Sequence, residues 1–293
     1  MQVRVMAGVL ALALATGGCA ARQGVIADSA TPAAKVGDSA PKTQEGDAAW
    51  AERGDLAKAK VALGLWEEAA KLDPTDAQLA LKLAYGYYFV CNSHLYFDEE
   101  SDDQQKAYFD KGVTHAERAI QLMAPDFAKQ VRAGKKWEEA ASSMTKESVP
   151  AFYWYATNLG KWATLDGITT LLGNKDRIFA LMTQVKKLDE TYFYGAPYRY
   201  FGVAHTKIPF PSGDLPASKK AFEKAIEIAP NYADSMVLFA EAYSIKASDK
   251  ANYEKQVKAV LALPDDAIPD LIPETKAAKK KAERLLKDMD DAF

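Results

Sequence analysis

The feature that most constrains this chain is a helix-ending pattern of small, aromatic and proline residues that occurs twice. In AKVALGLWEEAAKLDPTD it comprises Ala62, Trp66, Ala69 and Pro74; in ASKKAFEKAIEIAPNYAD it comprises Ser218, Phe222, Ala225 and Pro230. The aromatic fills the gap between two helices, the small residues let backbones approach, and proline stops the helix. A second register follows each proline. Leu83, Ala84 and Tyr87 come after Pro74, and Phe239, Ala240 and Tyr243 come after Pro230.

Both copies resemble a tetratricopeptide repeat, with its second helix spaced A-x3-F-x2-A-x4-P and its first helix carrying a large, a small and a tyrosine residue. Looser copies occur at Ala116 and Ala119 before Pro125, at Leu159–Gly160 and at Phe201–Gly202. Further helices are expected over Gln104–Leu122 and Asp176–Leu188, with a closing helix from Glu274 to Met289. Pro74, Pro125, Pro230 and Pro264 are unevenly spaced, which predicts insertions, notably the acidic loop Asp98–Asp103 and the proline-rich loop Pro209–Pro216. No segment alternates apolar and polar residues for the length of a strand. The expected fold is all-α, a tetratricopeptide-like solenoid of stacked helix pairs.

The N-terminus reads as an export signal. Arg4 precedes an apolar run from Val5 to Ala15, and the small residues Thr16, Gly17 and Gly18 lead into Cys19. The run is shorter than the ~20 residues of a membrane-spanning helix. Residues 1–18 are therefore expected to be a signal peptide. A cysteine at that place resembles the lipobox of bacterial lipoproteins, although Thr16 stands where a lipobox usually has Leu. Cleavage would leave Cys19 as an acylated N-terminus. Residues 19–46, rich in Ala, Gly, Ser, Pro and Asp, are expected to form a lipidated, disordered tether ahead of a helical domain over 47–293. Ala20 and Ala21 follow Cys19 without the aspartate that retains some lipoproteins at the inner membrane, which favours the outer membrane. With Cys19 acylated, Cys91 has no intramolecular partner, so stability rests on packing. The 48% of hydrophobic residues can supply it, and a net charge of −3 gives no basic excess for a nucleic-acid partner.

In stacked helix pairs the first helix of each pair lines the concave surface. That register turns Tyr85, Tyr88, Trp154, Lys161, Arg199 and Glu241 inward. Tyr87, Phe201, Phe222, Phe239 and Tyr243 fall to the core. Tyr85, Tyr88, Trp154, Trp162, Tyr194 and Tyr198 are divided between core and cleft wall. Lys161 and Arg199 lie within aromatic segments, where a cation stacks on a ring, pairs with a carboxylate, or awaits an anionic ligand. Asn158 can give a directional hydrogen bond or satisfy backbone. Together Tyr85, Tyr88, Trp154, Asn158, Lys161, Trp162, Tyr194, Tyr198 and Arg199 form the candidate ligand or partner site. His94, His115 and His205 show no metal-ligand spacing, and no nucleophile elbow, phosphate loop or dinucleotide fingerprint occurs. No cofactor, metal or catalytic residue is expected.

Three stretches go beyond generic repeat character: GDAAWAERGDLAKAKVALGLWEEAAKLDP, VPAFYWYATNLGKWA and YGAPYRYFGVAHTKIP. They resemble the TatT family, the T component associated with some TRAP transporters. The resemblance implies a non-catalytic lipoprotein that faces the periplasm and associates with a periplasmic substrate-binding protein. It also implies homo-oligomerisation and a cleft open to an apolar or amphipathic ligand. The competing expectation is a tetratricopeptide scaffold lipoprotein for envelope assembly, which needs a polar peptide groove instead.

Overall fold

The computed structural model describes residues 24–28, 33–209 and 213–293. The signal peptide and Cys19 lie outside them, as do the central residues of the loop Pro209–Pro216. Among the described residues the chain is all-α, without a strand, and no helix is long and apolar enough to cross a membrane.

A single turn, α1 (Val25–Asp28), precedes two antiparallel helices, α2 (Ala40–Ala51) and α3 (Leu56–Leu72). Then come α4 (Ala77–Ser93), α5 (Asp102–Met123), the shorter α6 (Pro125–Arg132) and α7 (Trp137–Ala140), α8 (Val149–Asp166) and α9 (Ile168–Leu188). The C-terminal half holds α10 (Tyr192–Lys207), α11 (Leu215–Ile228), α12 (Ala233–Leu238), α13 (Lys250–Ala262), α14 (Ile272–Lys287) and the terminal turn α15 (Met289–Ala292). A π-helical stretch, Phe239–Ser244, continues α12.

The boundaries follow local chemistry. The Asp55 carboxylate accepts from the amides of Ala57 and Lys58 and starts α3, and Asp76 and Asp214 do the same for α4 and α11. Helices α3 and α11 both end two residues before their prolines, because proline disfavours helical backbone at the residue before it. The residues of the two sequence patterns are buried. Trp66 and Ala69 on α3 pack in one cluster with Leu83 and Tyr87 on α4, and Ala62 and Ala84 are buried as well. Ser218, Phe222 and Ala225 are buried on α11, and the ring of Phe222 stacks on Phe239 at 5.1 Å. Phe201 and Tyr243 are buried as well.

The expected tether is not free over its length. Helix α2 begins at Ala40, inside it, because Gly46 lets the backbone lie against the Trp66 indole, where a Cβ would stand 2.5 Å from the ring. The indole Nε1 donates to Asp47 at 3.0 Å. Further upstream Ile26 is fully buried against α5 and α6, and the Val36 amide donates to the Leu72 carbonyl at 2.8 Å. Composition missed this because one isoleucine and well-placed glycines suffice for docking.

The last long helix returns to the start of the array. Helix α14 packs on α4, and Arg53, just after α2, pairs with Glu274. Helices α4, α8, α10, α12 and α14 are thereby brought around one central space.

Candidate functional site in the central cavity

The principal cavity holds about 250 Å³ and is walled by residues one helical turn apart. Helix α8 gives Tyr153, Thr157, Lys161 and Thr164; α10 gives Arg199, Val203 and Lys207 with Tyr200 and Ala204 beside them, and Ile208 follows just after it. Spacings of three and four place each set on one helix face. Tyr88, Cys91 and Asn92 on α4, Gln105 and Phe109 on α5, and Leu238 on α12 complete the wall with Tyr96. The lining is mainly aromatic and aliphatic with a few convergent polar groups, the usual make-up of a small-molecule site. A second space of about 20 Å³, room for a water, shares Tyr88 and Asn92 with it and reaches Tyr85, Phe193, Tyr232, Asp234, Glu274 and Lys281.

Charge in this region is unevenly satisfied. Arg199 is 4% exposed, and its guanidinium lies 4.3 Å from the centre of the Tyr232 ring. Nη1 donates to the carbonyl of Tyr194 at 3.0 Å and to Ser235 Oγ at 3.3 Å, and Nη2 donates to the carbonyl of Phe193 at 3.2 Å. Those carbonyls are presented by an unusual turn. Phe193, Tyr194 and Gly195 adopt φ of 41°, 62° and 72°, left-handed backbone that side chains disfavour. Lys281 lies 3.5 Å from Asp234 and 4.6 Å from the centre of the Tyr96 ring, whose hydroxyl donates to Glu241 at 2.6 Å. Burial alone would raise the Asp234 carboxyl, but Lys281, Arg199 and Lys161 together hold it below its ordinary value.

Lys161 is the exception. It makes no ion pair or hydrogen bond among the described residues. Burial pushes its ammonium below the ordinary value and Lys281 adds to that, offset in part by Glu241 and Asp234. One turn away the Thr157 hydroxyl is buried with no partner. Cys91, in the same wall, is fully buried, and burial pushes its thiol up to about 12.

The nine expected site residues separate into groups. Tyr88, Lys161 and Arg199 reach the main cavity, and Tyr85 the small one. Trp154 is buried between the rings of Tyr85, Tyr88, Tyr153 and Phe193, and Trp162 packs behind the wall. Asn158 faces α4 and α5 instead of the cavity, its Nδ2 donating to the carbonyls of Ala84 and Trp154 while Gly112 lies against its amide. Tyr194 stacks on Tyr232 at 5.1 Å in the left-handed turn. Tyr198 turns away from the cavity, its hydroxyl donating to Glu190 at 2.7 Å, because it lies about 100° round the helix from the inward-facing Arg199. Thr157, Tyr153, Tyr200, Val203 and Lys207 were missed. Stepping by four from Lys161 and from Arg199 reaches four of them.

The comparison with protein families bears on what this arrangement serves. The family described as TRAP transporter T-component matches residues 56–293, nearly the whole helical array and every wall residue of the cavity. The chain belongs to that family. A T-component is an accessory of TRAP transport, which ties this protein to the TRAP transporter system. No curated protein matches the chain.

Proposed function

We propose that this T-component is a lipid-anchored, periplasm-facing accessory of solute uptake, held by Cys19 at the outer membrane, and that its cavity receives an apolar organic acid. The carboxylate lies at Lys161 and the Thr157 hydroxyl, and the apolar part lies along Tyr88, Phe109, Tyr153 and Tyr200. The partner that delivers or takes this acid is a periplasmic substrate-binding protein of the transporter. The helix pairs form a degenerate tetratricopeptide-like solenoid whose inner face is this cavity.

The observation that carries the reading is a cation without a counter-ion in a mainly apolar, roomy cavity. An ammonium left unpaired in such surroundings is costly, and a bound carboxylate removes that cost. The aromatic wall favours a small molecule over the peptide groove that an assembly scaffold requires.

The test is affinity capture of the acylated protein from its own envelope, with mass spectrometry of proteins and small molecules that accompany it. Recovery of a TRAP-type binding protein and an organic acid, the acid lost in Lys161→Met, is the expected result. Recovery of assembly factors alone, with no acid, would sink the proposal.

A further inference from the structure

The docking of α1 bears on how the domain stands at a membrane. Gly24 is buried against Glu117, whose carboxylate accepts from the Val25 amide and would collide with any Cβ at position 24. Gln121 Nε2 donates to the Val25 carbonyl at 3.3 Å, and Ile26 is fully buried among the core residues of α5 and α6. Apolar burial, polar satisfaction and a close approach that a larger residue could make only by displacing the Glu117 carboxylate from the Val25 amide coincide in a few residues. These are the marks of a specific seat for this segment.

We propose that this seat turns the acyl anchor into a short leash that holds the α5–α6 end of the domain beside the bilayer. The inference rests on the reading of Cys19 as acylated. From Cys19 to Gly24 is five residue steps, which span at most roughly 17 Å. Were α1 undocked, the next fixed point would be Val36, bonded to Leu72 beside the Lys35–Asp73 ion pair, and the leash could reach about 55 Å. The surface at α6 carries Lys129, Lys135 and Lys136 with Asp126 and Glu139, all exposed, so charge attraction adds little. The acyl chains supply the membrane affinity and the seat supplies the orientation.

The experiment uses the full-length acylated protein bound to phospholipid vesicles that contain a nitroxide-headgroup lipid. A fluorophore on Lys129→Cys, on the exposed side of α6, reports distance from the headgroups. Strong quenching is expected with the native segment, falling at least twofold in Ile26→Asp. Gly24→Val is the second variant, and far-UV circular dichroism verifies that both stay folded. Equal quenching in all three overturns the proposal while leaving acylation intact. The intact mass of the N-terminus is measured in parallel. An unacylated Cys19 overturns the anchor reading itself, and the leash with it.

Discussion

Arg53 grips Glu274 with two hydrogen bonds, Nε to Oε1 at 2.8 Å and Nη2 to Oε2 at 2.9 Å, although the two residues are 221 positions apart. Arg53 Nη2 also donates to the Asp270 carbonyl, and the Tyr85 hydroxyl donates to the same carboxylate. This pair joins the end of α2 to the start of α14, beside the small space that Tyr85 and Glu274 line. Both side chains are nearly buried, at 11% and 13% exposure, so removing one strands the other. Glu274→Ala is expected to cost about 3–5 kcal/mol in urea unfolding. The apolar double variant Arg53→Met with Glu274→Leu should recover most of that. If Glu274→Ala unfolds at the wild-type urea concentration, the junction of α2 and α14 is not held by this pair.

Acid should weaken the α3–α5 contact in particular. Burial pushes the Glu67 carboxyl up, but hydrogen bonding and charge from His115, with a hydrogen bond from Tyr87, hold it at about 2 against an ordinary 4.5. The Tyr87 hydroxyl donates at 2.7 Å and the His115 ring lies at 3.0 Å. A carboxyl depressed by folding gives stability that is present above 4.5 and lost as pH falls towards 2. The contribution is about 1–2 kcal/mol, 1.36 kcal/mol per unit being discounted for the solvent that screens a half-buried carboxylate. Glu67→Gln should therefore be less stable than wild type at neutral pH, with the gap closing across that acid window. A gap independent of pH would assign its effect to packing alone.

The all-α class and a set of core positions were legible in the sequence because helical spacing of large and small apolar residues marks the buried face directly. Trp66, Phe222, Phe239 and Tyr243 are buried for the reason their spacing gives. The site was legible only in part. Lys161 and Arg199 share a cavity as their register requires, but Tyr198 does not follow, because it stands about 100° round the helix from Arg199. The left-handed turn at Phe193–Gly195 was not legible either: Phe193 and Tyr194 carry no sequence signal for such backbone, and the buried Arg199 guanidinium a few residues on holds their carbonyls. Asp234 and Lys281 pair across 47 residues, which no local pattern reveals.

The same turn yields a stability prediction. Gly195 has φ 72°, and a Cβ there would lie 3.3 Å from the backbone of Ala225. Gly195→Ala combines strained backbone with a tight contact, and about 1–3 kcal/mol of destabilisation is expected. Arg199→Lys keeps the charge but cannot reach both carbonyls and Ser235 with one ammonium, so a loss of about 2 kcal/mol is expected there. Thermal unfolding of the two variants checks both values. A lysine variant as stable as wild type would mean that the charge, and not the fork of donors, holds the turn.

Lys161 gives the prediction that joins stability to binding. Its ammonium titrates below the ordinary 10.5 because of burial and Lys281, so in the window between its folded value and 10.5 the unfolded chain binds more protons. Stability must then rise with pH across that window, since deprotonation relieves the folded state first. Lys161→Met, which carries no charge to desolvate, should lack this rise and be more stable than wild type at neutral pH. An apolar carboxylate in the cavity changes the sign of the argument. It favours the charged ammonium, raises its pKa and removes the alkaline rise, while stabilising wild type through its binding energy. Urea midpoints measured against pH for both proteins, with and without a medium-chain fatty acid, test each step. Identical pH profiles without acid would show that the ammonium is not desolvated. Equal stabilisation of both proteins by the acid would place the carboxylate away from Lys161.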